Sequence, residues 1–417
     1  MSKINLYYLS LFYFFSVLIN LHLLRNLIPG FEIILIIILL LVLFISINHL
    51  EFNMNNHIHW IFVLIFFSSL YVIIFSLFQR DFNGELLSLS QIINASARLL
   101  IMPLTAILFF IYVKDERTLY NLLNIFVIIS VISSLSYVYQ YYFGAIEWFA
   151  SGSGESKRGL NYRYSSLHGS ITVSSITLSF AFIATSYLYK SIFFKATILL
   201  VILVGLIMSL QKASLFNVIL ILFFIFLFSE SKMKHFFLYL FVFTLLYFFF
   251  QTLYGYDNEL ILVSHLHDLV FHTVEMNLLE ETKDVDSFSF RLYGGAQNMI
   301  SEYGSQMIIY GKGFVGAGAT MGIPGGQSHN TFWDLLFMGG FIYLFLFVVL
   351  LISVMRIFLK PQNKYEKIFA ISNIILIVNC LQGSILFFQP VTSFIFWLSI
   401  IYSSNKDFFN TRIRLKQ

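Results

Sequence analysis

Apolar residues in this chain come in long, nearly unbroken runs, and polar residues gather in the short intervals between them. Such runs cover 6–24, 31–48, 59–78, 90–112, 119–142, 168–189, 193–209, 214–229, 235–251, 331–355, 367–387 and 389–404. A helix needs about 20 apolar residues to cross the hydrocarbon core of a membrane, so each run predicts one crossing. The pattern predicts an all-α polytopic membrane protein with about twelve transmembrane helices and both termini on one side. No small-residue cleavage site follows the first run, which is read as a span and not as a signal peptide.

Two intervals break the rhythm, both on the side opposite the termini. One is 143–167, "FGAIEWFASGSGESKRGLNYRYSSL". The other, 252–330, is the large extracytoplasmic loop between spans 9 and 10. The layout is therefore 1–251 for helices 1–9 with the outer loop 143–167, 252–330 for the large loop, and 331–417 for helices 10–12 and a cytoplasmic tail. Inside the large loop Leu262, Leu266, Leu269, Val270, Val274 and Leu278 fall at helical spacing and predict an amphipathic helix. "FSFRLYGGAQNMISEYG", carrying Arg291, predicts a second.

Composition agrees: 59% of the residues are hydrophobic, 50 are Phe, and 11% are charged, against about 25% charged in soluble domains. The connections on the side of the termini hold the larger share of the 25 Lys and Arg, which places the termini in the cytoplasm. The net charge of +4 is modest, and nothing in it suggests nucleic acid as a partner. Cys380 is the only cysteine, so no intrachain disulfide staples the loops. The cytoplasmic connections are short and hold no Walker-type phosphate loop.

The candidate chemistry lies on the outer face. "GKGFVGAGATMGIPGGQSHNTFWDLLFMGGF" leads from a glycine-rich stretch, with Gly311 and Gly313, to His329 and Asn330 at the start of the tenth predicted helix. The positive end of a helix dipole disfavours an imidazolium, and a neutral imidazole can take a proton from a hydroxyl. Arg158, Arg163, Lys212, Arg291 and Lys312 are cations of the same face. Lys212 sits in the tight turn "SLQKASLF". Arg98 lies about eight residues into the fourth predicted span, about 12 Å deep at 1.5 Å per residue, and an ionisable residue at that depth is a functional candidate. For any one of these cations, a solvated or snorkelling charge is the plainer reading. His265, His267, His272 and Glu275 suggest zinc by letters, but they are read as the polar face of the amphipathic helix. Asp284 and Asp286, near Glu280 and Glu281, are read as a solvated acidic face. Cations, a neutral base and a flexible glycine segment suit a lipid-linked diphosphate donor.

These same residues resemble the signature region of the O-antigen ligase and polymerase superfamily: a glycine-rich approach, His329-Asn330, nine residues, then Gly340. Tyr343 stands where a second glycine is frequent. Arg291 followed by Gly311-x-Gly313 is similar to the family's upstream pattern, and Lys212 stands where an Arg is usual. Arg158 and Gly169 match an Arg-x10-Gly spacing of some polymerases. The resemblance implies a glycosyltransferase of the bacterial inner membrane with a periplasmic active face. Its donor would be an undecaprenyl-diphosphate-linked oligosaccharide, and it would need no metal and no cofactor. Membrane lipid and a chain-length regulator are the further partners it allows. It also implies roles: His329 as the base, Arg291, Lys212 and Arg98 facing the diphosphate with Arg158 and Arg163 as helpers, and Asn330 orienting the loop or a sugar hydroxyl. Polymerase is the preferred member. A ligase transferring the glycan to lipid A-core is the alternative, and a repeat-unit flippase is the non-enzymatic one. A flippase would line a central cavity with cations, whereas only Arg98 lies clearly inside a predicted span.

Overall fold

The computed structural model of the 417-residue chain describes residues 31–46, 57–81, 83–113, 115–146, 149, 155–158, 161–209, 211–229, 232–254, 294–321, 323, 328, 330–381, 383 and 386–404. In chain order the helices are α1 (Phe31–Ser46), α2 (His57–Ser76), α3 (Leu89–Tyr112), α4 (Glu116–Phe143), α5 (Ile171–Leu188), α6 (Ile192–Met208), α7 (Lys212–Phe228), α8 (Lys232–Tyr254), α9 (Gly295–Tyr303), α10 (Met307–Tyr310), α11 (Thr331–Ile357), α12 (Lys364–Cys380) and α13 (Pro390–Ser404). A 3₁₀ segment, Gly313–Met321, lies between α10 and α11. Every predicted apolar run from 31–48 onward has a helix over it. The run 6–24 lies outside the described residues. Among the described residues, three helices are long and apolar enough to cross a membrane, over His59–Ser76, Glu116–Phe143 and Thr331–Ile357, and several shorter ones are apolar.

Polar caps stop the helices where the runs stop. Asp115 accepts from Thr118 N at 2.6 Å to open α4. Asn363 accepts from Tyr365 N and Glu366 N to open α12. Ser88 and Gln91 form a reciprocal capping box on α3. Each satisfies backbone donors that the first turn leaves unpaired.

α5 is the central helix, packed by α4, α6, α7, α12 and α13. Its Ser174, Ser175, Thr177, Ser179, Thr185 and Ser186 are all buried. Several of these hydroxyls bond the carbonyl one turn back, as Ser179 does to Ser175 O at 2.8 Å and Ser186 to Phe182 O at 2.8 Å, which satisfies their donors inside the bundle; Thr185 Oγ1 is buried with no hydrogen-bond partner. Small residues also bring helices close. A Cβ at Gly205 on α6 would lie 2.5 Å from Ser134 Oγ on α4. α4 itself is inverted relative to a soluble amphipathic helix. Ser130, Ser133, Ser134, Tyr137 and Gln140 face inward, while Ile128, Ile132, Leu135, Tyr139 and Phe143 form an exposed stripe at helical spacing. Phe44, Phe67, Phe223, Phe237 and Phe345 on other helices are exposed as well. So much exposed apolar surface is foreign to a soluble monomer and compatible with a membrane protein.

Of the helix expected over 288–304, Gly295–Tyr303 is helical, and Arg291 lies outside the described residues. Two features differ from the sequence expectation. The segment 143–167 is not wholly irregular: Glu155–Arg158 and Asn161–Tyr164 pair as an antiparallel hairpin, β1 and β2, so among the described residues the regular elements are helices and this ribbon. The expected helix over 331–355 is present but interrupted at Gly340. The predicted amphipathic helix of the large loop, with His265, His267, His272 and the acidic run, lies outside the described residues.

Candidate functional site at the amino end of α11

The interruption in α11 organises this end of the molecule. Gly340 has φ 72° and ψ −174°, a left-handed φ that a residue with a Cβ adopts only under strain. A broken helix frees carbonyls that must find donors when buried. Here Phe337 O accepts from Lys312 N at 2.7 Å. The chain that supplies this donor is the glycine-rich stretch. Gly311, at φ 79°, lies with its backbone against Met338 O, and Gly316 against Phe337 O. Gly313, at φ 61°, is pressed onto Ser76 of α2, whose Oγ accepts from Phe314 N at 2.8 Å. Gly340 in turn abuts Ile309 O. Two hydroxyl contacts with α2 hold the same region: Ser69 Oγ with Tyr343 OH at 3.1 Å, and Tyr71 OH donating to Tyr310 O at 3.2 Å. Phe314, Val315, Ala317 and Met321 are buried. The described part of the glycine stretch is therefore a packed element. Non-helical backbone inside an apolar bundle is tolerated when protein covers it.

At the start of α11, Asn330 is the N-cap. Its Oδ1 accepts from Phe332 N at 3.0 Å and Trp333 N at 3.4 Å, and its Nδ2 donates to Leu381 O at 3.2 Å, just past α12. Thr331 Oγ1 donates to Gly383 O at 2.5 Å and accepts from Leu386 N at 3.1 Å. Ser328 Oγ donates to Asp334 Oδ1 at 2.6 Å, with Asn330 O as a second acceptor at 2.9 Å, and accepts from Asn330 N at 3.1 Å. Gly295, the first residue of α9, lies against Ser328 O. Burial pushes the Tyr303 phenol of α9 above its ordinary range, with Glu302 adding to the effect, so it stays neutral. His329 itself lies outside the described residues, but both of its covalent neighbours are buried and hydrogen-bonded.

Several groups of buried side-chain hydrogen bonds join the helices of the bundle. Asn379 of α12 donates to Asn217 Oδ1 of α7 at 2.9 Å, and Asn217 donates to Ser179 Oγ of α5 at 3.3 Å. Ser214, two residues into α7 from Lys212, meets Ser175 Oγ at 2.7 Å and Ser209 Oγ at 2.9 Å. The neighbouring Ser174 meets Ser166 Oγ at 2.6 Å, and Ser166 accepts from Ser133 of α4 at 2.8 Å. His168 Nε2 bonds Ser130 Oγ at 3.0 Å. Gln140 Nε2 donates to Ser165 O at 2.9 Å, which ties the foot of the hairpin to α4.

The sequence candidates divide accordingly. Asn330 bonds Leu381 O, Lys212 opens α7 two residues before Ser214, and the hairpin with Arg158 and Arg163 is tied to α4 through Ser165. By register Ser156 pairs with Arg163 and Arg158 with Asn161. Gly311 and Gly313 lie below the turn, in the break of α11. Arg98 is partly buried on α3, which packs on α1, α2, α13 and the 3₁₀ segment. Sequence reasoning missed Ser328, Asp334, His168 and Gln140. An acid inside a predicted span was the available signal for Asp334, and serines three and four apart in an apolar run were the signal for the α4 face.

Fold and site together define a helical protein with an apolar exterior, a broken helix and a buried polar layer at one end. No protein-family model matches the chain, and neither a curated protein nor a solved structure does.

Proposed function

We propose that this chain is an O-antigen polymerase, a glycosyltransferase of the bacterial inner membrane that joins undecaprenyl-diphosphate-linked oligosaccharide repeat units on the periplasmic face. The observation that carries the reading is the meeting of the motif halves. Gly311 and Gly313 are packed around the break that Gly340 makes in α11, and the same helix opens at Asn330, beside His329. Residues more than twenty positions apart thus serve one structural device.

In the reaction an acceptor hydroxyl oxygen attacks the anomeric carbon of the donor. The new C–O bond forms as the bond to the diphosphate oxygen breaks, and the lipid diphosphate leaves with the electron pair. His329 takes the hydroxyl proton. Fixed cations then meet the charge that develops on the leaving group, a kind of preorganised electrostatics that is frequently the largest catalytic contribution. In this reading Arg291, Lys212 and Arg98 take that role, with Arg158 and Arg163 as helpers. These cations do what a metal does in other transferases.

The test is His329→Ala expressed at native level in a deletion strain. Loss of a general base costs about 10²–10⁴ in rate, so long glycan chains should disappear while lipid A-core still carries a single repeat. Bare core with polymer held on the carrier lipid would make the protein the ligase. Bare core with single repeats left on the cytoplasmic face would make it a flippase. Full ladders would remove His329 from catalysis.

A further inference from the structure

α4 ends in a groove that the transfer reaction does not use. Ile132, Leu135, Tyr139 and Phe143 lie along it at helical spacing, and all four are exposed. Gly144, at φ 85°, stops the helix. The chain then turns back, and Ile146 N donates to Oε1 of Gln140, six residues earlier, at 3.1 Å. This bond holds the returning segment against the last turn. Gly144, Ala145 and Ile146 complete an open cavity of about 640 Å³.

The surroundings say what fills it. α4 is long and apolar enough to cross a membrane, so in a bilayer its exposed stripe meets hydrocarbon. From Ile132 to Phe143 the stripe runs about 16 Å at 1.5 Å per residue. That is half of a hydrocarbon core about 30 Å thick, the depth of a single leaflet. Tyr139, Tyr141 and Tyr142 crowd the last turns and are exposed, and tyrosine gathers where hydrocarbon meets headgroups. The groove therefore has a polar mouth and an apolar floor, which is the pattern an amphiphile needs. Its lining carries no charged side chain. A diphosphate headgroup is held by charge-assisted bonds from Arg or Lys, and nothing in the lining supplies one. A headgroup without net charge fits better.

We propose that this groove holds one acyl chain of a zwitterionic bilayer phospholipid as a resident ligand. The chain covers Ile132, Leu135 and Phe143 and supplies the dispersion contacts that an empty concavity forfeits. The proposal rests on the membrane reading of the protein and is independent of the transfer reaction.

The experiment uses the full-length protein in nanodiscs of phosphatidylcholine, a small fraction of which carries a photoactivatable diazirine in one acyl chain. After illumination, peptide mapping compares labelling of residues 132–146 with that of Ile219, Phe223 and Phe226. These three are an exposed apolar face of α7 and report ordinary contact with surrounding lipid. Labelling along the groove should be several-fold higher. Ala145→Trp fills the groove from the returning segment and leaves α4 unchanged. It should bring the groove down to the level of α7, with α7 itself unaffected. Equal labelling of the two faces in the unsubstituted protein overturns the proposal, even where Ala145→Trp fails to accumulate. So does an excess that survives Ala145→Trp. Displacement of the excess by unlabelled undecaprenyl diphosphate would assign the groove to the lipid carrier and overturn it as well. Crosslinking of residues 132–146 to a second copy of the chain would do the same. Labelling needs no turnover, so an inactive preparation that shows the excess supports the groove while the transferase reading fails. Labelling on neither face removes the membrane reading and the proposal together.

Discussion

At the scale of single residues, Asn330 is the side chain whose role changed most between sequence and structure. The pattern places it beside His329 as a loop or sugar-orienting group. The geometry gives it two structural bonds, a cap on α11 and a link to Leu381. Replacing a capping Asn by Ala costs about 1 kcal/mol, and the lost bond to Leu381 O adds to it. Asn330→Ala should therefore lower the thermal midpoint of the detergent-solubilised protein more than Asn330→Ser, which can still cap. Identical midpoints for the two variants would show that capping contributes little here. Asp334 escaped attention in the sequence for an instructive reason. An acid in the first turn of a helix is ordinary, and only its burial and its bond to Ser328 set it apart.

At the scale of elements, the apolar runs were readable because hydrophobic length and polar caps act locally, so α1 to α8 and α11 to α13 fall where the runs predict. The break in α11 was not readable. Gly340 follows Gly339 inside an apolar stretch, and a glycine in a span is common. What makes Gly340 a break is the backbone of Ile309 pressed against it from more than thirty residues away. The hairpin was hidden for a related reason: "ESKR" and "NYRY" lack the alternation of a half-buried strand, and their pairing is anchored by Gln140 and Ser165 instead. A pair of glycines tests the packing argument. Gly304 has φ 85° and open space around it, whereas Gly340 has φ 72° and no room for a Cβ. Gly304→Ala should carry only the backbone penalty, about 1–2 kcal/mol. Gly340→Ala should lose considerably more and reduce the amount of protein recovered from the membrane. If both variants express and melt alike, the backbone contact at Ile309 is not tight.

At the scale of the whole molecule, hydrogen bonds and ion pairs sort the helix ends into two layers. One layer joins Ser76 to Phe314, Ser175 to Ser214, Ser166 to Ser133 and Asn330 to Leu381. The other joins Lys364 to Glu116 at 3.5 Å, Asn363 to Tyr402, and Lys195 to Ser186 O. Lys190, Lys232, Arg356, Lys360 and Lys367 stand with the second layer in sequence, the bias that the positive-inside rule expects of a cytoplasmic side and that the proposed function requires of that layer. The single cysteine makes this testable without a background, because Cys380 is fully buried. Ser305, exposed after α9, and Leu359, exposed at the far end of α11, mark the two layers. In spheroplasts a membrane-impermeant maleimide should label Ser305→Cys at once, and Leu359→Cys only after permeabilisation, with the unsubstituted protein staying unlabelled throughout. The reverse pattern would place the broken helix and its polar layer on the cytoplasmic face. A donor whose glycan has already crossed the membrane could not reach His329 there, and the proposed reaction would fail on topology before any rate was measured.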